Sequence, residues 1–139
     1  MSAHPTDGVR REVLPNGVTL LVQRRRAAPA AALATHVRAG FLDEPDEVQG
    51  ISHVLEHMLF KGTARRGVGA IAGAVEGVGG RINAYTSYDT TVYHATVPSQ
   101  GLEVATDVLV DMVRGSLFDP VEIAREIEVV IEEIRRSDD

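Results

Sequence analysis

The sequence feature that most restricts the fold is a short apolar segment that carries two histidines and a glutamate. We expect a helix over residues 50–60, with polar residues His53, Glu56 and His57. The apolar residues around them are Ile51, Val54, Leu55, Met58, Leu59 and Phe60. A helix that is apolar on nearly all sides is buried, whereas ionisable side chains are rarely buried without partners. The alternative, three polar groups on an exposed helix face, is therefore disfavoured.

The spacing of these residues is typical of a metal site. His53 and His57 are four residues apart, so on a helix their imidazoles lie on one face, one turn apart. The sequence has no cysteine, so a transition metal has to be held by histidine and carboxylate. Glu56 lies ~60° around the helix from His53, at ~100° per residue. Zinc suits this set, because it lowers the pKa of a bound water to about 7 and a nearby carboxylate can take the proton.

A catalytic zinc site needs a third protein ligand, and the last predicted helix offers several acids. This helix begins at Asp119-Pro120, a helix-capping residue followed by a proline at the first helical position. On a helical projection, Glu126 and Glu133 lie in line at the border of an apolar stripe. The stripe consists of Ile123, Ile127, Val130, Ile131 and Ile134. Glu128 and Glu132 lie on the far side, so this geometry leaves Glu126 and Glu133 both eligible.

The remaining pattern predicts an α+β fold. Asn16-Gly17 permits a tight turn between strands at residues 10–14 and 18–23. We expect further strands at 31–37, 81–87 and 90–97, a loop at 41–49, and helices at 67–80 and 102–113. The order of strands, helix, helix, strands, helix, helix favours a mostly antiparallel sheet with helices packed on one face. A chain of 139 residues can bury a core, so we take residues 1–139 as one domain.

Composition and charge exclude several classes of function. The net charge of −6 argues against nucleic acid as a partner. No apolar run approaches the roughly 20 residues that a membrane span requires. The first eight residues contain no apolar stretch, which argues against a secretory signal. We therefore expect a cytoplasmic protein.

Three segments together resemble the pitrilysin/insulinase-type metallopeptidases, a family that includes mitochondrial and bacterial processing peptidases. Residues 50–63 contain His53-Val-Leu-Glu-His57, which fits the inverted zinc motif H-x-x-E-H. Residues 80–93 are similar to the second signature of the family, and residues 118–134 are similar to a third. The segments occur in the family's order and cover nearly the whole chain.

The resemblance implies a role for each matching residue. His53, His57 and Glu133 would bind zinc, with Glu56 as the base that activates water. Glu126 would support the site without binding the metal. The family match thus selects Glu133 from the two acids that the helical projection leaves eligible.

The resemblance also implies the activity of an endopeptidase. Its substrates would be unfolded peptides or targeting segments, in which it hydrolyses peptide bonds. Asn83, Ala84 and Thr86 lie on the strand to which a peptide would add as an extra strand. The alternative is that Asn83 is simply a polar residue next to a turn and contacts no other molecule.

The resemblance predicts that the chain is an incomplete catalytic domain. It ends six residues after Glu133, whereas the family's domain continues and a second, homologous half closes over the substrate. We therefore expect a truncated version of that domain, which needs a homologous chain or the missing half to close the chamber. Two alternatives are a non-catalytic scaffold subunit of a peptidase-like complex and an inactive fragment.

Overall fold

The computed structural model describes residues 8–137, apart from the side chain of Ser137. The expectation that the chain lacks a secretory signal rests largely on residues 1–7, which lie outside this range. The cytoplasmic location therefore stays a prediction. None of the helices in the described range is long and apolar enough to cross a bilayer.

The predicted N-terminal hairpin is present and forms a sheet of its own. β1 (Val9–Val13) pairs with β2 (Thr19–Gln23) in antiparallel register. The turn closes with a hydrogen bond from the Gly17 amide to the Leu14 carbonyl at 2.9 Å. Gly17 has a φ of +86°, a conformation that glycine adopts without strain. Among residues 8–137, these two strands pair only with each other.

The three other predicted strands are present and form an antiparallel main sheet. β3 (Ala30–Val37), β4 (Arg81–Thr86) and β5 (Thr91–Pro98) lie in the order β3-β5-β4. Leu33, Ala95 and Ile82 lie opposite one another across the three strands. Because side chains alternate along a strand, this row shares one face of the sheet with the rows two residues away.

Four helices follow the predicted order. They are α1 (Ile51–Met58), α2 (Ala70–Glu76), α3 (Leu102–Gly115) and α4 (Pro120–Ser137). The predicted loop at 41–49 contains two single 3-10 turns, and a third turn precedes α3. α2 is shorter than the expected 67–80, because glycines interrupt both ends of that segment and glycine is a poor helix former.

The core lies between the helices and one face of the main sheet. Ile71 and Val75 of α2 and Met112 of α3 are fully buried against Tyr93 and Val97 of β5. α1 packs against β4 on this side, and α4 packs against α1. The fold is therefore α+β, with an antiparallel sheet that carries its helices on one face.

Two faces that the sequence predicted to be buried are exposed. α1 buries Met58 and Leu59, but Ile51 and Leu55 are 42% and 41% exposed. The expectation that α1 is buried on nearly all sides is therefore wrong, because β4 and α4 cover only part of it. On α4, Val130 is buried and Ile123 is half-buried, whereas Ile127, Ile131 and Ile134 of the same stripe are exposed.

Candidate metal centre

The two histidines of α1 lie side by side. The ring centroids of His53 and His57 are 4.7 Å apart and the rings are perpendicular. The start of the helix is held by Glu44, whose carboxylate accepts hydrogen bonds of 2.7 Å from the amides of Gly50 and Ser52. Burial alone would raise the pKa of Glu44, but these hydrogen bonds outweigh it and the pKa is lowered. The loop before α1 therefore fixes the end of the helix from which His53 projects.

Glu133 of α4 brings a carboxylate to both imidazoles. Its Oε2 lies 3.4 Å from Nε2 of His53 and 3.7 Å from Nε2 of His57. One ligand atom from each of the three residues lies within 4.8 Å of those of the other two. Ligand atoms around a tetrahedral zinc are about 3.3 Å apart, since each lies about 2.0 Å from the metal. The donor set and its spacing fit zinc, and no other such group of three occurs among residues 8–137.

Glu126 lies behind His57 and determines which ring nitrogen is free. Its Oε2 is 2.9 Å from Nδ1 of His57, and because a carboxylate only accepts, Nδ1 carries the hydrogen. Nε2 is then left with a lone pair that can bind a metal. Burial alone would raise the pKa of Glu126, whose side chain is 7% exposed, but hydrogen bonds from Lys61 and His57 lower it. The contact of Lys61 with Glu126 was not predicted from the sequence.

Glu56 lies on α1 toward β4. The hydroxyl of Thr86 donates a hydrogen bond of 2.5 Å to its Oε2. Tyr93 is buried nearby, and burial together with the negative charge of Glu56 raises the pKa of its phenol. The carboxylate of Glu56 is thus held in one orientation by a residue of the neighbouring strand.

The three predicted substrate-binding residues do not share one face. Ala84 and Thr86 of β4 point toward the helices, with Ala84 packed on the core and Thr86 bonded to Glu56. Asn83 lies between Ile82 and Ala84 in the strand, so its side chain is on the opposite face. β4 pairs with β5 alone among the described residues, which leaves its other edge open.

The acid next to Glu133 lies away from the centre. Glu132 forms an ion pair of 2.7 Å with Arg135, one turn along α4, and its side chain is 55% exposed. The helical projection placed Glu132 on the far side of α4 from Glu133, and the structure also places Glu132 away from the two histidines.

Comparison with known proteins matches nearly the whole chain to one family. The sequence model described as "Insulinase (Peptidase family M16)" covers residues 19–139. The chain is 40% identical over 126 residues to the probable mitochondrial-processing peptidase subunit beta of Arabidopsis thaliana, covering 91% of this chain and 24% of that protein. It is 37% identical over 131 residues to the uncharacterized zinc protease YmxG of Bacillus subtilis, covering 94% and 32%.

A solved structure shows the same fold. The periplasmic protease PqqL from Escherichia coli superposes with a TM-score of 0.86 and 29% identity, over 96% of this chain and 16% of that one. The chain spans about a quarter to a third of the two curated relatives, with shares of 24% and 32%. The family match and the shared fold agree, and the chain belongs to the insulinase family of peptidases, peptidase family M16.

Proposed function

We propose that this chain is the zinc-binding part of an endopeptidase that hydrolyses peptide bonds in unfolded peptides or targeting segments. The observation that carries the proposal is the convergence of Nε2 of His53, Nε2 of His57 and Oε2 of Glu133. Glu56 directly precedes His57 on the same helix. The name zinc protease for the Bacillus subtilis relative supports the metal, and the name processing peptidase for the Arabidopsis thaliana relative supports the substrate class.

Each residue has a chemical task in this proposal. His53, His57 and Glu133 hold the zinc ion, which when bound acts as a Lewis acid on water and on the scissile carbonyl. Glu56 accepts the proton of the attacking water and returns it to the leaving amine. Thr86 orients Glu56 through the hydrogen bond to Oε2.

The open edge of β4 is the proposed binding surface for substrate. An extended peptide can pair with this edge as an additional strand, through main-chain hydrogen bonds. Such pairing requires a substrate segment without its own secondary structure. Asn83 and Ala84 lie on this edge strand, and Thr86 links it to Glu56.

We further propose that a homologous chain, or a longer form of the same product, completes the chamber. The relatives are three to four times the length that this chain matches. The side chains of His53 and His57 are 25% and 21% exposed, and that of Glu133 is 45% exposed. A reacting peptide also needs hydrogen-bond donors for the developing oxyanion, and the partner is the proposed source of these groups.

Metal analysis tests the ligand set directly. We expect one zinc per folded chain, and a sharp loss in each of His53→Ala, His57→Ala and Glu133→Gln. Glu132→Gln is the matched control and should keep its zinc, because Glu132 is paired with Arg135 on the solvent side. Zinc loss in Glu132→Gln with retention in Glu133→Gln would contradict the ligand assignment. A wild-type chain that binds no zinc would instead support a scaffold subunit or an inactive fragment.

A further inference from the structure

Lys61 contacts the acid that orients His57. Its Nζ lies 2.6 Å from Oε1 of Glu126, while Oε2 of the same carboxylate lies 2.9 Å from Nδ1 of His57. The two oxygens thus have different partners, one cation and one imidazole. The side chain of Glu126 is 7% exposed and that of Lys61 is 27% exposed. Glu126 is therefore a buried carboxylate whose orientation depends on groups of the protein and little on water.

The backbone around Lys61 is fixed on both sides. The amide of Lys61 donates to the Met58 carbonyl at 3.0 Å, in the last turn of α1. The carbonyl of Gly62 accepts a hydrogen bond of 3.1 Å from the Leu117 amide, in the connection between α3 and α4. Gly62 has a φ of +123°, which a residue with a side chain rarely adopts. The backbone position from which the side chain of Lys61 extends to Glu126 is therefore fixed.

The residues that follow Gly62 in the chain are bonded to α3. The Thr63 hydroxyl donates a hydrogen bond of 2.8 Å to Oδ2 of Asp111, and both groups are buried. The same hydroxyl accepts the amides of Arg65 and Arg66 at 3.1 and 3.0 Å. Arg66 in turn forms an ion pair with Asp111. The turn after α1 is thus fastened to α3, a helix that supplies no residue to the metal centre.

We propose that Lys61 is a positioning residue for the metal centre, which holds Glu126 so that its second oxygen fixes the ring of His57 with Nε2 directed at the metal. The inference rests on the proposed zinc site. Without Lys61, Oε1 of a buried carboxylate loses its cation, and the carboxylate can rotate away from Nδ1. The position of the His57 ring would then be less restricted, and zinc affinity would fall because part of the binding free energy would be spent on ordering it.

Zinc affinity of the full chain, measured by competition with a chromophoric chelator, tests this role. Lys61→Met should weaken zinc binding about tenfold, the low end of the loss seen when a direct partner of a ligand is removed, because Lys61 acts through Glu126. Lys61→Arg, which keeps the positive charge and the donors, should restore most of the affinity. Arg10→Met is the matched control, since it removes an exposed ion pair with Glu12 in the hairpin, outside the site. The absorption spectrum of the cobalt-substituted protein should change in Lys61→Met and stay unchanged in Arg10→Met.

A double variant separates positioning from a general loss of stability. If Lys61 acts through Glu126, adding Lys61→Met to Glu126→Gln should lower zinc affinity little further. Effects that multiply, or a Lys61→Met chain that binds zinc as the wild type does, would overturn the inference while leaving the proposed zinc site intact. A wild-type chain that binds no zinc would overturn both. The thermal midpoint of each metal-free variant identifies any that fail to fold, and Lys61→Arg then carries the comparison.

Discussion

At the residue scale, the proposed centre assigns metal binding and proton transfer to different carboxylates. Glu133 lies against the two imidazoles, whereas Glu56 is bonded to Thr86 on the neighbouring strand. The two carboxylates therefore have different surroundings although both lie near the same pair of histidines. A substitution at one of them should affect one property of the site at a time.

Glu56→Gln should keep zinc and lose hydrolysis. Glutamine preserves the size of the side chain, and the three ligand atoms come from other residues. It cannot accept a proton from water, so hydrolysis should fall by about 10² to 10⁴-fold. Metal analysis of the chain checks the first property, and cleavage of a quenched fluorescent peptide in the presence of the proposed homologous chain or longer form checks the second. A Glu56→Gln chain that has lost its zinc would indicate a ligand role for this residue.

The sequence predicted the contacts made within one helix better than those between elements. His53, Glu56 and His57 lie as helical spacing requires, since four residues make about one turn. The contact between Lys61 and Glu126 spans two elements far apart in the chain, and no periodicity connects them. The orientation of Asn83 could have been predicted from the sequence. Side chains alternate along a strand, which places Asn83 and Thr86 on opposite faces.

At the element scale, the short helix α1 depends on groups outside it. It has eight residues, and isolated helices of this length are unstable in water. Glu44 accepts two hydrogen bonds from amides at its start, and the hydroxyl of Ser116 donates to the Met58 carbonyl at its end at 3.1 Å. Both termini are thus satisfied by residues from neighbouring loops.

Glu44→Ala should lower the free energy of unfolding by about 1–2 kcal/mol at neutral pH, the usual cost of losing a helix cap. The folded state lowers the pKa of Glu44 below its ordinary value of 4.5. The stabilisation is therefore complete above that ordinary value and is lost as the pH falls through the lower pKa of the folded state. Denaturant unfolding of wild type and variant at neutral and acidic pH should show the difference shrinking with acid.

Glu47→Ala serves as the control for this experiment. Glu47 is an exposed acid of the same loop, so its removal should change stability little. An equal loss in both variants, or a Glu44→Ala loss that is unchanged in acid, would contradict the capping role.

Local signals in the sequence predicted where the elements begin and end, but they did not predict which side chains are buried. Asp119 was predicted to cap α4, and its Oδ1 accepts the Val121 amide at 2.9 Å. The apolar stripe of α4 was also visible in the sequence, yet Ile127 and Ile131 are 42% exposed. Periodicity identifies which residues share a face, but the partner of that face comes from long-range packing, here with α1 on one side.

At the scale of the whole molecule, the proposed metal centre lies at an open surface between α1, α4 and the edge strand β4. The helices α2 and α3 form the core behind it with the sheet. The centre is therefore built on a packed support but is accessible from one side. Access of this kind suits the proposal that another chain covers the site.

The isolated 139-residue chain should hydrolyse an unstructured peptide slowly or not at all. The reacting peptide has to be held in line, and charge on the developing oxyanion has to be stabilised. We expect turnover to rise when a homologous chain or a longer form of the product is added, as measured with the same peptide. High turnover by a monodisperse monomer, with no gain from a partner, would contradict the need for a second half.

The separate pairing of β1 with β2 has a consequence for local opening of the fold. A two-stranded hairpin is marginally stable by itself, and Val13 and Leu21 are 52% and 64% exposed. We expect the amide hydrogens of β1 and β2 to exchange with deuterium well before those of β5, which is the central strand of the main sheet. Equal protection of the two sheets in hydrogen-exchange mass spectrometry would contradict this. Residues 9–23 can then open and close without disturbing α1 and α4, which carry His53, His57 and Glu133.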